Sequence, residues 1–207
     1  MTADRPTTLP PCWAESLLRM MLPPRDRDSV SGDLLEEYRE SIAPRRGARA
    51  NQWYVRQVGW HVLRASWPWA ALFAAGFLAR SAYDWFVPTT SFQLRSTVTT
   101  WYGVATLFAA ASWTTWRSRR PLTGVLFAVV ISQLAAVLTV VGSLLMLAVW
   151  HDAQTMDAIA GSGGLGEQFV LPFMMIVPAM IVGAAGAIVG WLAATLYDAS
   201  RPKTKSA

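Results

Sequence analysis

Few side chains in this chain of 207 residues stand at spacings that do chemistry. Arg80 and Asp84 are four apart, which sets them on one helix face within reach of an ion pair. They fall in an apolar stretch, and ionisable groups at membrane depth mark a functional site by default. Near the outer end of that stretch the pair meets the headgroup level, where it costs little, and that placement is the expectation. Gln133 lies midway along another apolar stretch. There an amide serves best as a hydrogen-bond donor to a neighbouring helix. Asp33, Glu36, Glu37 and Glu40 crowd one short segment. Hard cations need convergent oxygens and generally a loop, so this spacing reads as a solvated helix face open to a basic partner. Gly161-Ser-Gly-Gly-Leu-Gly166 spells GxGxxG. That pattern cradles a pyrophosphate only between a strand and a helix. Here it lies between two apolar stretches and reads as a flexible linker.

Other chemistry is missing from the sequence. Cys12 is the single cysteine and His61 and His151 lie far apart, which leaves no disulfide within the chain and no zinc cluster. Paired aspartates, a Ser/Lys or Ser/His pair and HExxH are absent from the apolar stretches, and no Walker A motif occurs. No catalytic, cofactor-binding or metal-binding residue is therefore assigned, and a non-enzymatic protein is the expectation.

The elements that position these residues begin with a polar, helical N-terminal segment. Pro10 and Pro11 precede a helix carrying Trp13, Leu17, Met20 and Met21 on one side, and Pro23-Pro24 stops it. Asp26 or Asp28 is placed to cap the next helix. Its stripe is Val30, Leu34, Leu35, Tyr38 and Ile42, opposite the acidic face. Asp33, Leu34, Leu35, Glu36, Glu37 and Tyr38 are the candidate partner-binding residues. After Pro44 and Gly47 a third helix carries Trp53, Tyr54, Val58 and His61 toward Arg64. A core of three helices over some sixty residues is marginal alone and needs something to pack on.

Four apolar stretches follow, at residues 66–86, 97–116, 122–149 and 169–197. A helix crosses about 30 Å of hydrocarbon with about 20 residues, and open strands cannot cross at all. Charged residues make up 15% of the chain and mean hydropathy is +0.30. Both values favour lipid as solvent over the roughly 25% charge of a soluble domain. The last stretch holds Pro172, Pro178 and a Gly186-Ala-Ile-Val-Gly190 motif preceded by Gly183. Gly183, Gly186 and Gly190 read as helix-packing positions where backbones approach closely. The two prolines can kink that helix.

Charge gives the orientation. Arg117, Arg119 and Arg120 fill the turn between the second and third stretches, and Arg201, Lys203 and Lys205 the tail. The opposite loops hold only Arg95, or acidic Asp152, Asp157 and Glu167. The positive-inside rule then sets both termini in the cytoplasm. Trp67, Trp69, Trp85, Trp101, Trp113, Trp116, Trp150 and Trp191 fall near stretch ends as an interfacial belt. The net charge of +5 does not point to nucleic acid, because residues 1–67 mix ten Arg with eight Asp or Glu.

The expectation is an all-α integral membrane four-helix bundle behind a small cytoplasmic three-helix segment. It divides into a prefix at 1–64, a four-span domain at 65–198 and a basic cytoplasmic tail at 199–207.

One set of motifs resembles a known family. Ser16-Leu-Leu-Arg-Met-Met-Leu-Pro-Pro-Arg25, Gly32-Asp-Leu-Leu-Glu-Glu-Tyr-Arg-Glu40 and Asn51-Gln-Trp-Tyr-Val-Arg-Gln57 together resemble permease prefix domain 2. That segment precedes the membrane core of duplicated orphan permeases similar to FtsX-type permeases of ABC export systems. The likeness covers residues 13–60, and the large extracytoplasmic domains and second set of spans of those permeases are lacking here. What the resemblance implies is a prefix module on a compact anchor in a bacterial cytoplasmic (inner) membrane, with a regulatory or signalling role.

Two functions follow as expectations. The first is an accessory or regulatory membrane component whose prefix binds a protein partner of a permease or signalling system. The second is a small transporter or permease subunit working as a homo-oligomer. The lipid bilayer is the surrounding partner in both, and no cofactor is called for in either.

Overall fold

The computed structural model describes residues 9–22, 24–46, 49–86, 92–150, 153–161 and 169–200, which are helical almost throughout with no strand among them. His151, Asp152, Glu167, residues 162–166 of the glycine motif and the basic tail at 201–207 lie outside the described residues. Packing divides the chain into two units, Met1–Ala65 and Ser66–Ala207.

In the first unit, α1 (Cys12–Met21) starts where the Ala14 and Glu15 amides reach the carbonyl of Pro11. It buries Ala14, Leu18 and Met21 and ends on extended Leu22. α2 (Pro24–Glu37) opens on proline, whose missing N–H is one that a first turn leaves unused anyway. Asp26 therefore sits inside the first turn, where its charge suits the helix dipole, and not at the cap that its type suggests. A π-helical turn (Tyr38–Ile42) passes into α3 (Ala43–Arg46). The core gathers Leu18, Leu34, Tyr38, Trp53, Tyr54 and Val58. Tyr38 and Tyr54 meet edge to face, with ring centroids 5.6 Å apart. The Tyr38 hydroxyl donates to Oδ1 of Asn51 at 2.7 Å, and burial pushes its pKa above the ordinary 10.

The third predicted prefix helix and the first apolar stretch are one helix, α4 (Ala50–Phe86). Pro68 lies inside it, so the Arg64 carbonyl loses its helical donor. The flanking apolar residues keep the helix going, which the proline rule alone does not anticipate.

The second unit continues with α5 (Phe92–Ser118), α6 (Pro121–Val149), the short α7 (Ala153–Gly161), a 3-10 turn (Leu171–Met175) and α8 (Ile176–Ser200). Pro178 falls in the first turn of α8 and breaks nothing; the irregular backbone precedes it. α5, α6 and α8 pack on one another. Their contact faces are lined by small residues, including Ala110, Ala111, Ala128, Ala135, Ala187 and Ala194. That composition is how helices associate where no water drives them together. α4 meets them where the Tyr102 hydroxyl donates to the Leu72 carbonyl at 2.5 Å.

Among the described residues, three helical segments are long and apolar enough to cross a membrane: α4, α6 and residues Leu171–Ser200. Their outward faces are apolar too: Val141, Leu145 and Val149 on α6 and Val177, Ile181, Ile188 and Leu196 on α8 are exposed. So much bare hydrocarbon suits lipid and not water. α5 has the length but not the apolar content. The hydroxyls of Thr97, Thr99, Thr100 and Thr106 donate to carbonyls one turn back, all at 2.9 Å. A hydropathy sum counts those hydroxyls as though they still needed water.

Candidate functional site

Chemistry-bearing side chains meet where α4 ends and α5 begins. Asp84 receives two arginines. Nε of Arg80, one turn earlier, donates to Oδ2 at 3.2 Å. Nε of Arg95, from the first turns of α5, approaches Oδ1 at 2.9 Å. The second approach is a close charge contact, and Oδ1 of Asp84 and Nε and Nη1 of Arg95 are buried with no hydrogen-bond partner among the described residues. Arg95 also lies over the ring of Tyr83, 5.0 Å from its centroid. All three charged side chains are less than a fifth exposed. Two guanidinium groups approach one carboxylate.

Arg80 and Asp84 border a cavity of about 80 Å³. Phe73, Phe77 and Trp85 of α4 give it an apolar wall, Ser132 and Thr139 of α6 a polar one, and Leu171, Pro172 and Met175 close it from the turn before α8. The α4 wall runs from Phe73 to Trp85, about 18 Å of helix rise. Ser132 is 2% exposed, and its hydroxyl has no hydrogen-bond partner among the described residues. Gln133, the next residue, points elsewhere and donates to the Phe173 carbonyl at 3.5 Å. Trp85 is buried, unlike Trp67, Trp101, Trp113, Trp150 and Trp191. It lines the cavity, whereas those five are exposed.

The glycines of α8 lie against backbone. A Cβ on Gly186 would come within 2.6 Å of the Phe108 carbonyl, and one on Gly190 would strike Ser112. Gly183 instead faces Ala128 of α6, 2.7 Å from where its Cβ would be. The close approach lets the Ser112 hydroxyl donate to the Gly186 carbonyl at 2.9 Å.

The candidate docking residues separate by burial. Leu34 and Tyr38 are taken up by the prefix's own core, and Leu35 is half-buried. Asp33, Glu36, Glu37 and Glu40 are exposed. The apolar stripe therefore closes the prefix on itself, and what remains for a partner on α2 is acidic. A second, basic feature was not singled out from sequence: Arg45, Arg46, Arg49 and Arg56 surround an open cleft of about 710 Å³ floored by Trp53. Their uneven spacing hides the cluster, which the end of α3 and the start of α4 bring to one cleft. Among the described residues no group of three or more His, Cys, Asp or Glu is placed to hold a metal ion.

Comparison of the chain with protein-family models, with curated proteins and with solved structures gives no match.

Proposed function

We propose that the chain is a four-span membrane protein with both termini cytoplasmic, an accessory or regulatory component whose prefix docks a protein partner. The observation that carries the docking is the prefix itself. It has its own core around Leu18, Tyr38 and Tyr54 and a charge-segregated outside, acidic on α2 and basic around Arg49. Surfaces of that kind steer and select partners more than they fold the module. The resemblance to a permease prefix supports the same reading.

The fourth span is α5. Arg95 near its start pairs with Asp84 near the end of α4, and Arg119 just past its end pairs with Asp198 near the end of α8 at 2.9 Å. A helix of 27 residues rises about 40 Å, enough to cross beside α4, α6 and α8. The hydroxyls of Thr97, Thr99, Thr100, Tyr102, Thr106 and Ser112 all donate to backbone carbonyls, so the lower hydropathy is compatible with a span.

The test is co-purification of the full chain in mild detergent, beside a variant with Asp33, Glu36 and Glu37 changed to Lys. A discrete stoichiometric partner, lost from the variant while its helicity and melting are kept, supports docking. Equal capture by both proteins contradicts it. A second reading, a small transporter or permease subunit acting as a homo-oligomer, draws on the cavity beside Arg80. A defined oligomer without partner favours that reading.

A further inference from the structure

Docking through the acidic face of α2 leaves the basic cleft of the prefix without a ligand of its own. Arg45 and Arg46 end α3, Arg49 directly precedes α4, and Arg56 lies two turns into it. All four are exposed, and none makes a hydrogen bond or ion pair with a described residue. Elsewhere in the prefix arginine is matched by acid, as where Arg19 pairs with Glu15 at 3.1 Å. Here no Asp or Glu lines the cleft, and the sequence has none between Glu40 and Asp84. The floor is Trp53, 8% exposed and packed into the prefix core. A concave surface lined by one sign of charge over an apolar floor focuses the potential and concentrates ions of the other sign.

We propose that this cleft binds a molecule bearing two or more adjacent phosphate groups. A guanidinium group is a planar fork of donors that matches phosphate oxygens in pairs. Four of them carry more charge than a single phosphate neutralises. A cleft of about 710 Å³ has the size of a small-molecule site and exceeds what one phosphate ion fills. Gln52, also on the cleft, adds an uncharged amide donor for an ester or bridging oxygen. The phosphates belong either to a soluble diphosphate compound or to a lipid head with two phosphates. The chemistry is shared, and the source is what experiment separates. The inference goes beyond the docking reading and does not rest on it.

The experiment uses the full chain in nanodiscs of phosphatidylcholine, with and without cardiolipin, and inorganic diphosphate as the probe. Binding is read by calorimetry at physiological ionic strength, where loose surface attraction is screened. The wild type is compared with Arg49→Gln, Arg56→Gln and the control Arg39→Gln, an exposed prefix arginine outside the cleft. The expected result is one saturable site, weakened about tenfold in Arg49→Gln and in Arg56→Gln and unchanged in Arg39→Gln. Binding kept in both membranes identifies a soluble diphosphate compound. Binding present in phosphatidylcholine and abolished by cardiolipin identifies lipid phosphates as the occupant. No saturable binding in phosphatidylcholine, or equal weakening in all three variants, overturns the proposal and leaves a solvated basic surface. The substituted side chains are exposed, and far-UV circular dichroism checks that each variant keeps its fold. Docking is tested on Asp33, Glu36 and Glu37, none of which lines the cleft, so either reading can fail while the other stands.

Discussion

Nε of Arg95 lies 2.9 Å from Oδ1 of Asp84, which fastens the first turns of α5 to the last turns of α4. The carboxylate already holds Arg80, so the two arginines are not equivalent to the aspartate between them. Changing Arg95 to Gln leaves a neutral Arg80–Asp84 pair. Changing Asp84 to Asn leaves two partly buried guanidinium groups facing each other. Breaking a fully buried pair from one side costs about 3–5 kcal/mol. At this partial burial Asp84→Asn is expected to cost about 2–3 kcal/mol and Arg95→Gln about 1 kcal/mol, discounted from that range. Thermal unfolding of both variants in one detergent checks the order, and the reverse order contradicts the shared-carboxylate account.

The glycines supply a contrast at constant chemistry. Gly186→Ala places a methyl group against the Phe108 carbonyl, whereas Gly32 and Gly59 face open space. Gly186→Ala should lower stability by about 1–3 kcal/mol, the usual overpacking cost. Gly32→Ala, exposed on α2, should raise it by up to about 1 kcal/mol through helix propensity. Unfolding midpoints of the two variants moving in opposite directions is the expected result.

In the prefix, Leu34→Ala should cost about 2–5 kcal/mol because the side chain is core. Leu35→Ala, half-buried, should cost less. Far-UV circular dichroism on denaturation of the full chain separates the two. Equal effects would mean that Leu34 is not packed inside.

Tyr38 makes the prefix sensitive to alkali. Its folded pKa is raised by burial, so its contribution is fully present below the unfolded value near 10 and is lost as pH rises through the folded value. The prefix should therefore loosen above about pH 10. Tyr38→Phe gives up the bond to Asn51, worth about 1 kcal/mol, and should reduce that alkaline loss, the remainder staying with Tyr54, whose pKa burial also raises. Melting of wild type and variant between neutral pH and alkali checks both signs.

Much of the membrane architecture is legible in the residues. Continuous apolar runs announce α6 and α8, and Arg80 with Asp84 is visible as a pair four apart. Arg95 is different. Nothing local ties it to Asp84, because the two are joined only by the path of the chain between α4 and α5. Ser132 is likewise ordinary in sequence, and only the packing of α4 and α6 leaves its hydroxyl unmatched beside a cavity. Periodicity finds the stripe through Leu34 and Tyr38 but cannot say whether the covering surface is the protein's own. Nor does local patterning see that α4 continues through Pro68. A proline's effect depends on whether the flanking residues can hold the helix without its hydrogen bond.

The central claim is four spans with both termini on one side, and Cys12, exposed and the single cysteine, gives the measurement. Intact spheroplasts are treated with a membrane-impermeant maleimide, using the wild type and three variants made in a Cys12→Ser background: Ser118→Cys, Asp157→Cys and Ser200→Cys. The account predicts that Asp157→Cys is labelled at once, while Cys12 and the Ser118 and Ser200 variants are labelled only after permeabilisation. Labelling of Ser200→Cys in intact cells with Cys12 still protected would mean an odd number of crossings. That would remove α5 from the membrane and contradict the account.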